Sequence, residues 1–300
     1  MEKVLIIVNF FKNKLKIEQR DLKRWGFWYN TPETYGEFRK RNLLNYERQI
    51  SRESRILDSD TATETITVDM EPKGKKIREH LDRIKNTNPG ENDFYDYIIY
   101  IDGDRDIEFN TIFAILDVLQ QNAKAQLCLA CRQGRFMMGK KRDSIERFEN
   151  YLIEDRYNIS LPDGQCGCWG IKKEFLDKVQ LSAKAFEIEL DIIIAALELN
   201  IIPYFVPTTL TLKRISKAST FNTDQHMSKL LFLLEKLRIN KDLLKYYFEN
   251  FKKEYRKNKL PDDYLNLFDL IPEKITGHRI VRKSSFCLKN KTCKRCDLPN

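Results

Sequence analysis

The chain of 300 residues has no long uncharged hydrophobic run. Its most apolar long stretch, Ile188 to Val206, is broken by Glu189, Asp191, Glu198 and Pro203. A lipid-facing span would not readily tolerate those residues. The N-terminal MEKVLIIVNFFKNK carries no basic leader of the usual kind and no small-residue cleavage site, so it is expected to be a first strand and the protein cytoplasmic. Histidine is scarce: His80, His226 and His278 all fall outside recognisable motifs and are expected in surface or structural roles. Asn9 to Lys14 contains no glycine, which counts against the Gly-rich, cationic loop that a nucleotidyltransferase would carry after its first strand. The chain shows no RNP, helix-turn-helix or C₂H₂ pattern, no internal repeat and no low-complexity tract.

Enough remains for a sizeable core, with 42% hydrophobic residues in one or two domains. The formal charge of +9 suits an anionic partner, whether a nucleotide diphosphate, a phospholipid surface or nucleic acid. The seven cysteines are an odd number. Cys128 and Cys131 have C-x-x-C spacing, but Ala125 to Cys131 reads as a strand, where residues three apart point to opposite faces. They are expected to be free thiols. Cys166 and Cys168 would share a face if extended. Cys287, Cys293 and Cys296, with His278 upstream, leave a zinc site open as an alternative, although their spacing is irregular.

The stretch from Tyr95 to Asp106 (YDYIIYIDGDRD) concentrates the chemistry. An apolar run rich in β-branched and aromatic residues reads as a buried strand. It ends in Asp102, Asp104 and Asp106. In open α/β sheets, ligands bind outside the carboxyl ends of the strands. Carboxylates there offer hard oxygen ligands to Mg²⁺ or Mn²⁺, which can also hold a substrate diphosphate.

Around this stretch, strands are expected at Lys3–Phe11, Thr63–Met70, Gln126–Cys131 and Ile201–Thr211, with a further strand after the turn that starts at Leu161. Helices are expected at Ile77–Lys85, Asn110–Asn122, Asp143–Arg156, Lys172–Val179 and Phe186–Asn200. The alternation over residues 1–211 predicts an α/β sandwich. Residues 12–60 are too long for an ordinary connection and read as an insertion. Pro72 to Lys76 (PKGKK) is a Gly-Lys turn at a helix N-terminus, an arrangement that favours an anion. After residue 222 the character changes to amphipathic helices, Asp224–Arg238 and Lys241–Arg256, and a basic tail. The expected organisation is therefore a domain over 1–222 and a helical, basic appendage over 223–300. The leucine-rich helices could pack on the core, dimerise or lie on an anionic membrane.

The ordered set of motifs resembles the family 2 glycosyltransferases of the GT-A fold, nearest to the dolichyl- and polyprenyl-phosphate sugar transferases. Asp102-Gly103-Asp104 resembles the family's metal-binding Asp-x-Asp, and Asp106 falls where a third metal-side ligand lies. Asp163 to Gly167 (DGQCG) is similar to the Asp-x-Gln-Cys-Gly turn. Phe186 to Leu190 (FEIEL) resembles the acidic helix start, Ile202 to Val206 with Pro207 the "evPv" strand, and Ser216-Lys217 the closing Ser-Lys. The first strand departs from the family's Pro-x-x-Asn-Glu, reading Val8-Asn9-Phe10-Phe11-Lys12.

The resemblance implies a Rossmann-like α/β/α sandwich with a mixed, mainly parallel sheet. It also implies metal-dependent transfer of a sugar from a nucleoside diphosphate, with inversion, to a glycan or lipid-phosphate acceptor. Asp102, Asp104 and Asp106 would hold Mn²⁺ or Mg²⁺, with Asp102 contacting the ribose or supporting the metal. Asp69, Lys75, Arg132, Arg214 and Lys217 would line the nucleotide and its phosphates. The general base would be Asp163, with Glu187 or Glu189 as the alternatives. A location at the inner face of a membrane would suit a lipid acceptor. The competing readings are a nucleotidyltransferase and a basic nucleic-acid-binding protein, the latter suggested by the aromatic and basic residues from Trp25 to Tyr46.

Overall fold

A computed structural model of the chain describes residues 2–10, 61–69, 73–91, 94–102, 107–133, 140–209 and 223–254. Packing divides the chain into two units, Met1–Gly139 with Asp163–Phe221, and Lys140–Pro162 with Asn222–Asn300. The expected insertion over 12–60, the Ser216-Lys217 motif and the cysteine tail lie outside the described residues.

The first unit is built on strands β1 (Glu2–Phe10), β2 (Thr61–Asp69), β3 (Tyr97–Asp102), β4 (Leu127–Gln133), β5 (Cys168–Lys172) and β6 (Tyr204–Thr209). They form one sheet in the order β2-β1-β3-β5-β4-β6. Pairing is parallel everywhere except at β5, which runs antiparallel to both β3 and β4. The α/β sandwich with a mixed, mainly parallel sheet is therefore present. Pro207 sits in β6, at the sheet edge, where a missing N–H disrupts no inner ladder.

Strand β3 (YIIYID) is buried along almost its whole length because both faces of the sheet are covered. Side chains alternate along a strand, so each strand feeds both layers. Val4, Ile6, Ile99, Ile101, Cys128 and Ala130 pack with Ile112, Ile115 and Leu119 of α2 (Thr111–Gln121). The alternate set, Leu5, Ile7, Ile98, Tyr100, Leu129 and Trp169, is equally buried on the other face. There Tyr100 stacks on Trp169 across the β3–β5 pair, with ring centroids 5.1 Å apart. Such a pair adds directional attraction to its area burial.

Helix α1 (Lys73–Lys85) starts four residues before the apolar periodicity that begins at Ile77, so the Lys-Gly-Lys-Lys run is its first turn and not a preceding loop. The expected helix over 172–179 shrinks to one turn, α4 (Lys173–Leu176). Helix α5 (Ile188–Glu198) begins after Glu187 and stops before Asn200, which takes a left-handed φ of 58°. Asn tolerates that conformation better than most residues, and it closes the helix ahead of β6.

The second unit contains α3 (Lys140–Tyr157), α6 (Thr223–Leu237) and α7 (Lys241–Glu254). Its core is aromatic: Phe148 packs edge-on against Phe248 and Phe251, and Tyr151 meets Tyr247 and Phe251. These contacts place residues 140–162 with the C-terminal helices, whereas a single cut at 222 would leave them with the sheet. Buried His226 faces Glu149 across 3.4 Å, and His80 lies against Arg83 at 2.7 Å. No helix among the described residues is long and apolar enough to cross a membrane.

The docking of α1 yields a stability prediction. A Cβ built on Gly74 would lie 2.6 Å from the Ala185 carbonyl oxygen and 2.9 Å from its nitrogen. Backbone cannot yield as a flexible side chain can. Gly74→Ala should therefore lower stability by about 1–3 kcal/mol. A urea melt should show a lower midpoint with an unchanged slope.

Candidate active site

Asp102 closes β3 at the carboxyl edge of the sheet, in register with Asn9 of β1. Asp69 closes β2 at the same edge, in register with Phe10. The chain leaves β1 for β2 on one side and for β3 on the other, so the strand order reverses beside Asp102. Crevices at such reversal points bind ligands in open α/β sheets. The following residues, 103–106, lie outside the described residues. Asp104 and Asp106 therefore have no placement here, and neither do Arg214 and Lys217.

Three groups fix Asp102. The Tyr100 hydroxyl donates to its Oδ1 at 2.6 Å. The Lys73 ammonium donates to its Oδ2 at 3.1 Å. Its backbone N–H donates to the Gly167 carbonyl at 2.7 Å, hooking the turn before β5 onto the end of β3. Gly167 lets Asp102 keep this position, because a Cβ there would sit 1.9 Å from Asp102 Oδ2 and force the carboxylate to shift.

Lys73 also donates to Glu189 Oε1 at 2.5 Å, and its ammonium lies 5.2 Å from the centre of the Tyr100 ring. Lys73 and Glu189 are nearly fully buried, whereas the Asp102 side chain keeps 18% of its surface exposed. Burial alone would lower the pKa of the ammonium, but the charges of Asp102 and Glu189 outweigh it and hold the lysine cationic, well above its ordinary value. Lys73 was not marked by the sequence. The residue that was, Lys75, is largely exposed and lies 3.9 Å from Glu79. Nor is the start of α1 open to an anion there: the Gly74 and Lys75 N–H groups donate to the carbonyls of Ala185 and Lys184.

Asp163, the first choice for a base, is a structural partner of Arg132. The guanidinium donates Nε–H to Oδ2 at 2.7 Å and an Nη2 hydrogen to Oδ1 at 2.8 Å. The Arg132 backbone N–H also reaches Oδ2, and the Gln165 N–H reaches Oδ1. A carboxylate with no exposed surface and four donors is poorly placed to take up a proton. The same pair commits Arg132, so its charge is already balanced before any phosphate arrives.

Glu187 and Glu189 diverge, as their spacing requires. Glu189 joins Lys73. Glu187 precedes α5 and turns back, so that its Oε1 accepts from the N–H groups of Lys184 and Ala185. Asp191 repeats the device one turn on, accepting from the N–H groups of Ser182 and Ala183. The second oxygen of Glu187, Oε2, is buried without a hydrogen-bond partner. Of the three candidate bases, Asp163 has both oxygens engaged, whereas Glu187 and Glu189 each accept through Oε1 alone.

The chemistry of the donor set bears on the metal. Both oxygens of Asp102 already accept hydrogen bonds, one of them from a cation. Asp102 therefore suits a supporting role behind a metal, or contact with a hydroxyl, better than direct ligation. Among the described residues, no three His, Cys, Asp or Glu side chains group as a metal site.

The sequence matches no family model and no curated protein. Solved structures do resemble it. One is glucosyl-3-phosphoglycerate synthase from Mycobacterium tuberculosis, at 12% identity over 79% of this chain and 81% of that one, with a TM-score of 0.49. The same enzyme with uridine diphosphate (UDP) gives 12% identity, 79% and 81% coverage and a TM-score of 0.48. With Mn²⁺, UDP-glucose and phosphoglyceric acid it gives 11%, 79% and 80%, and 0.46. With identities this low and TM-scores below 0.5, the functional reading rests on the chain's own residues.

The cysteines near the site are inert by environment. Cys128, Cys166 and Cys168 are free and fully buried, whereas Cys131 is half-buried. Burial pushes the Cys128 thiol up to about 12 and the Cys166 and Cys168 thiols well above their ordinary value. Thiolate is the reactive form. Iodoacetamide labelling of native protein at pH 8, followed by peptide mass mapping, should therefore modify Cys131 and spare the other three. Labelling of Cys128 at the same rate would contradict this packing.

The Arg132–Asp163 pair gives a second prediction for this site. Asp163→Asn removes the carboxylate that holds the buried guanidinium through two hydrogen bonds and should cost about 3–5 kcal/mol of stability. A base that served chemistry alone would show no such loss in a urea melt.

Proposed function

We propose that this chain is a nucleotide-sugar-dependent glycosyltransferase of the GT-A type. The observation that carries the reading is the placement of Asp102, the first carboxylate of Asp-x-Asp. It stands at the carboxyl end of β3, beside the strand-order reversal, and is hooked to Gly167 of the Asp-x-Gln-Cys-Gly turn. Two motifs far apart in sequence thus meet in one hydrogen bond.

In this reading Asp104 and Asp106 would hold a divalent cation, Mn²⁺ or Mg²⁺, which as a Lewis acid would offset negative charge on the diphosphate leaving group. Asp102 contacts the donor's ribose and supports the metal side. Asp69, Arg214 and Lys217 would border the nucleotide, as the sequence resemblance implies. Arg132 and Asp163 act as a clamp that keeps the 163–167 turn at the sheet edge. Glu187, with Glu189 as the alternative, would take the proton from the acceptor hydroxyl in an inverting transfer, and a lipid-phosphate acceptor, already anionic, would need that base less. The proposed setting is cytoplasmic, at the inner face of a membrane if the acceptor is a lipid phosphate of the polyprenyl type.

The test is a thermal-shift series with nucleoside diphosphates, with and without Mn²⁺, in which UDP is the first probe because it is the nucleotide in the solved neighbours. A ligand that binds only the folded state raises the melting temperature, by an amount set by RT ln(1 + [L]/Kd). A metal-dependent rise is expected for at least one nucleotide, and Asp104→Asn should abolish it without changing the unliganded melting temperature. No rise with any nucleotide would refute the assignment.

A further inference from the structure

The buried cation behind Asp102 lies in the Pro72–Lys76 run but in none of the motifs that carry the family resemblance. Lys73 arrives from the first turn of α1, separated in sequence by 29 residues from Asp102 and by 116 from Glu189. We propose that Lys73 is a positioning residue of the donor site, its ammonium orienting the Asp102 carboxylate toward the bound nucleotide. The proposal rests on the glycosyl-transfer reading.

The geometry carries it. Asp102 is gripped at both oxygens, by the Tyr100 hydroxyl on Oδ1 and by Lys73 on Oδ2. Neither donor can drift. The Tyr100 ring is stacked on Trp169, and Lys73 is anchored at its other side by Glu189. A carboxylate held at both oxygens has lost its rotational freedom before a ligand arrives, which lowers the entropic cost of binding. Exposure follows the same logic. Lys73 and Glu189 lie inside, and the partly exposed Asp102 is the member that a ligand can reach.

Charge gives a second effect that the test must separate from orientation. One ammonium and two carboxylates leave a single net negative charge. Without Lys73 the cluster would hold two, which would repel a diphosphate.

The experiment is calorimetric titration of UDP with Mn²⁺ into the full-length protein, at a temperature where circular dichroism shows each variant folded. Lys73→Met should weaken binding about tenfold or more, the scale of a lost hydrogen bond to a charged group. Lys73→Met/Glu189→Met replaces the ion pair by apolar side chains, a change that buried pairs often accept with little loss of stability. It also keeps the net charge of the wild-type cluster. The same loss of affinity is expected for this double variant, because Asp102 has still lost its anchor. Tyr100→Phe should weaken binding in the same direction by a smaller factor, and Lys76→Met on the outer face of α1 should not change it. Wild-type affinity in the folded double variant would overturn the proposal, leaving Lys73 as charge balance only. Wild-type affinity in Lys73→Met, with only a lowered melting temperature, would overturn it as well. If UDP binds the wild type and these variants alike, the inference about Lys73 falls alone. If no nucleoside diphosphate binds the wild type, the glycosyl-transfer reading falls and takes this inference with it.

Discussion

An ammonium group enclosed by protein must be paired, because an isolated buried charge is too costly to keep. Lys73 meets that constraint with Asp102 and Glu189, and much of the local architecture follows. The first turns of α1 and α5 must both reach the end of β3. Gly74 must let α1 approach the 184–185 backbone, and Gly167 must let the turn before β5 pass within contact of Asp102. Each glycine removes a Cβ that would push one of these elements away. The ion cluster and the two glycines are therefore one structural device, and the geometry of Asp102 is its output.

The same edge of the sheet is rich in carboxylates, and most of them hold backbone. Asp163 takes a main-chain N–H from Arg132 and one from Gln165, Glu187 takes two from residues 184 and 185, and Asp191 takes two from residues 182 and 183. Irregular backbone under a buried layer has N–H groups that water cannot reach, and each needs an acceptor. Ionised carboxylates are strong acceptors for that purpose. Acidic residues gathered near a ligand crevice are thus as much the scaffold of its loops as the source of its chemistry.

How far the sequence discloses this depends on the range of each interaction. The strands and the longer helices were legible because burial imposes local periods, as in YIIYID of β3 or Ile112, Ile115 and Leu119 of α2. Asp102 was legible for the same reason, as an acid where an apolar run stops. Lys73 was not. Its partners are remote in sequence, and a Lys-Gly-Lys-Lys run gives no apolar period to distinguish a first helical turn from a basic loop. The pairing of Asp163 is hidden in the sequence for a related cause. As a motif residue it looks free, and the arginine that occupies it stands 31 positions upstream. Residues 140–162 were drawn into the sheet domain because their helix follows β4 in sequence, while their aromatic contacts are with α7.

The direction of β5 also escaped the sequence, since an antiparallel strand has the same alternation as a parallel one. It is decisive for the site. A parallel strand delivers only the residues that follow it to the carboxyl edge. An antiparallel strand placed between β3 and β4 delivers the residues that precede it, so the 163–167 turn arrives where β3 and β4 end. Asp102 then meets Gly167, and Arg132 meets Asp163, each through a strand end facing a strand beginning. Reversing β5 would send that turn to the opposite edge and separate Asp163 from Arg132. The one antiparallel strand is therefore what lets motifs separated along the chain become neighbours in space, and the Arg132–Asp163 pair holds it in that sense.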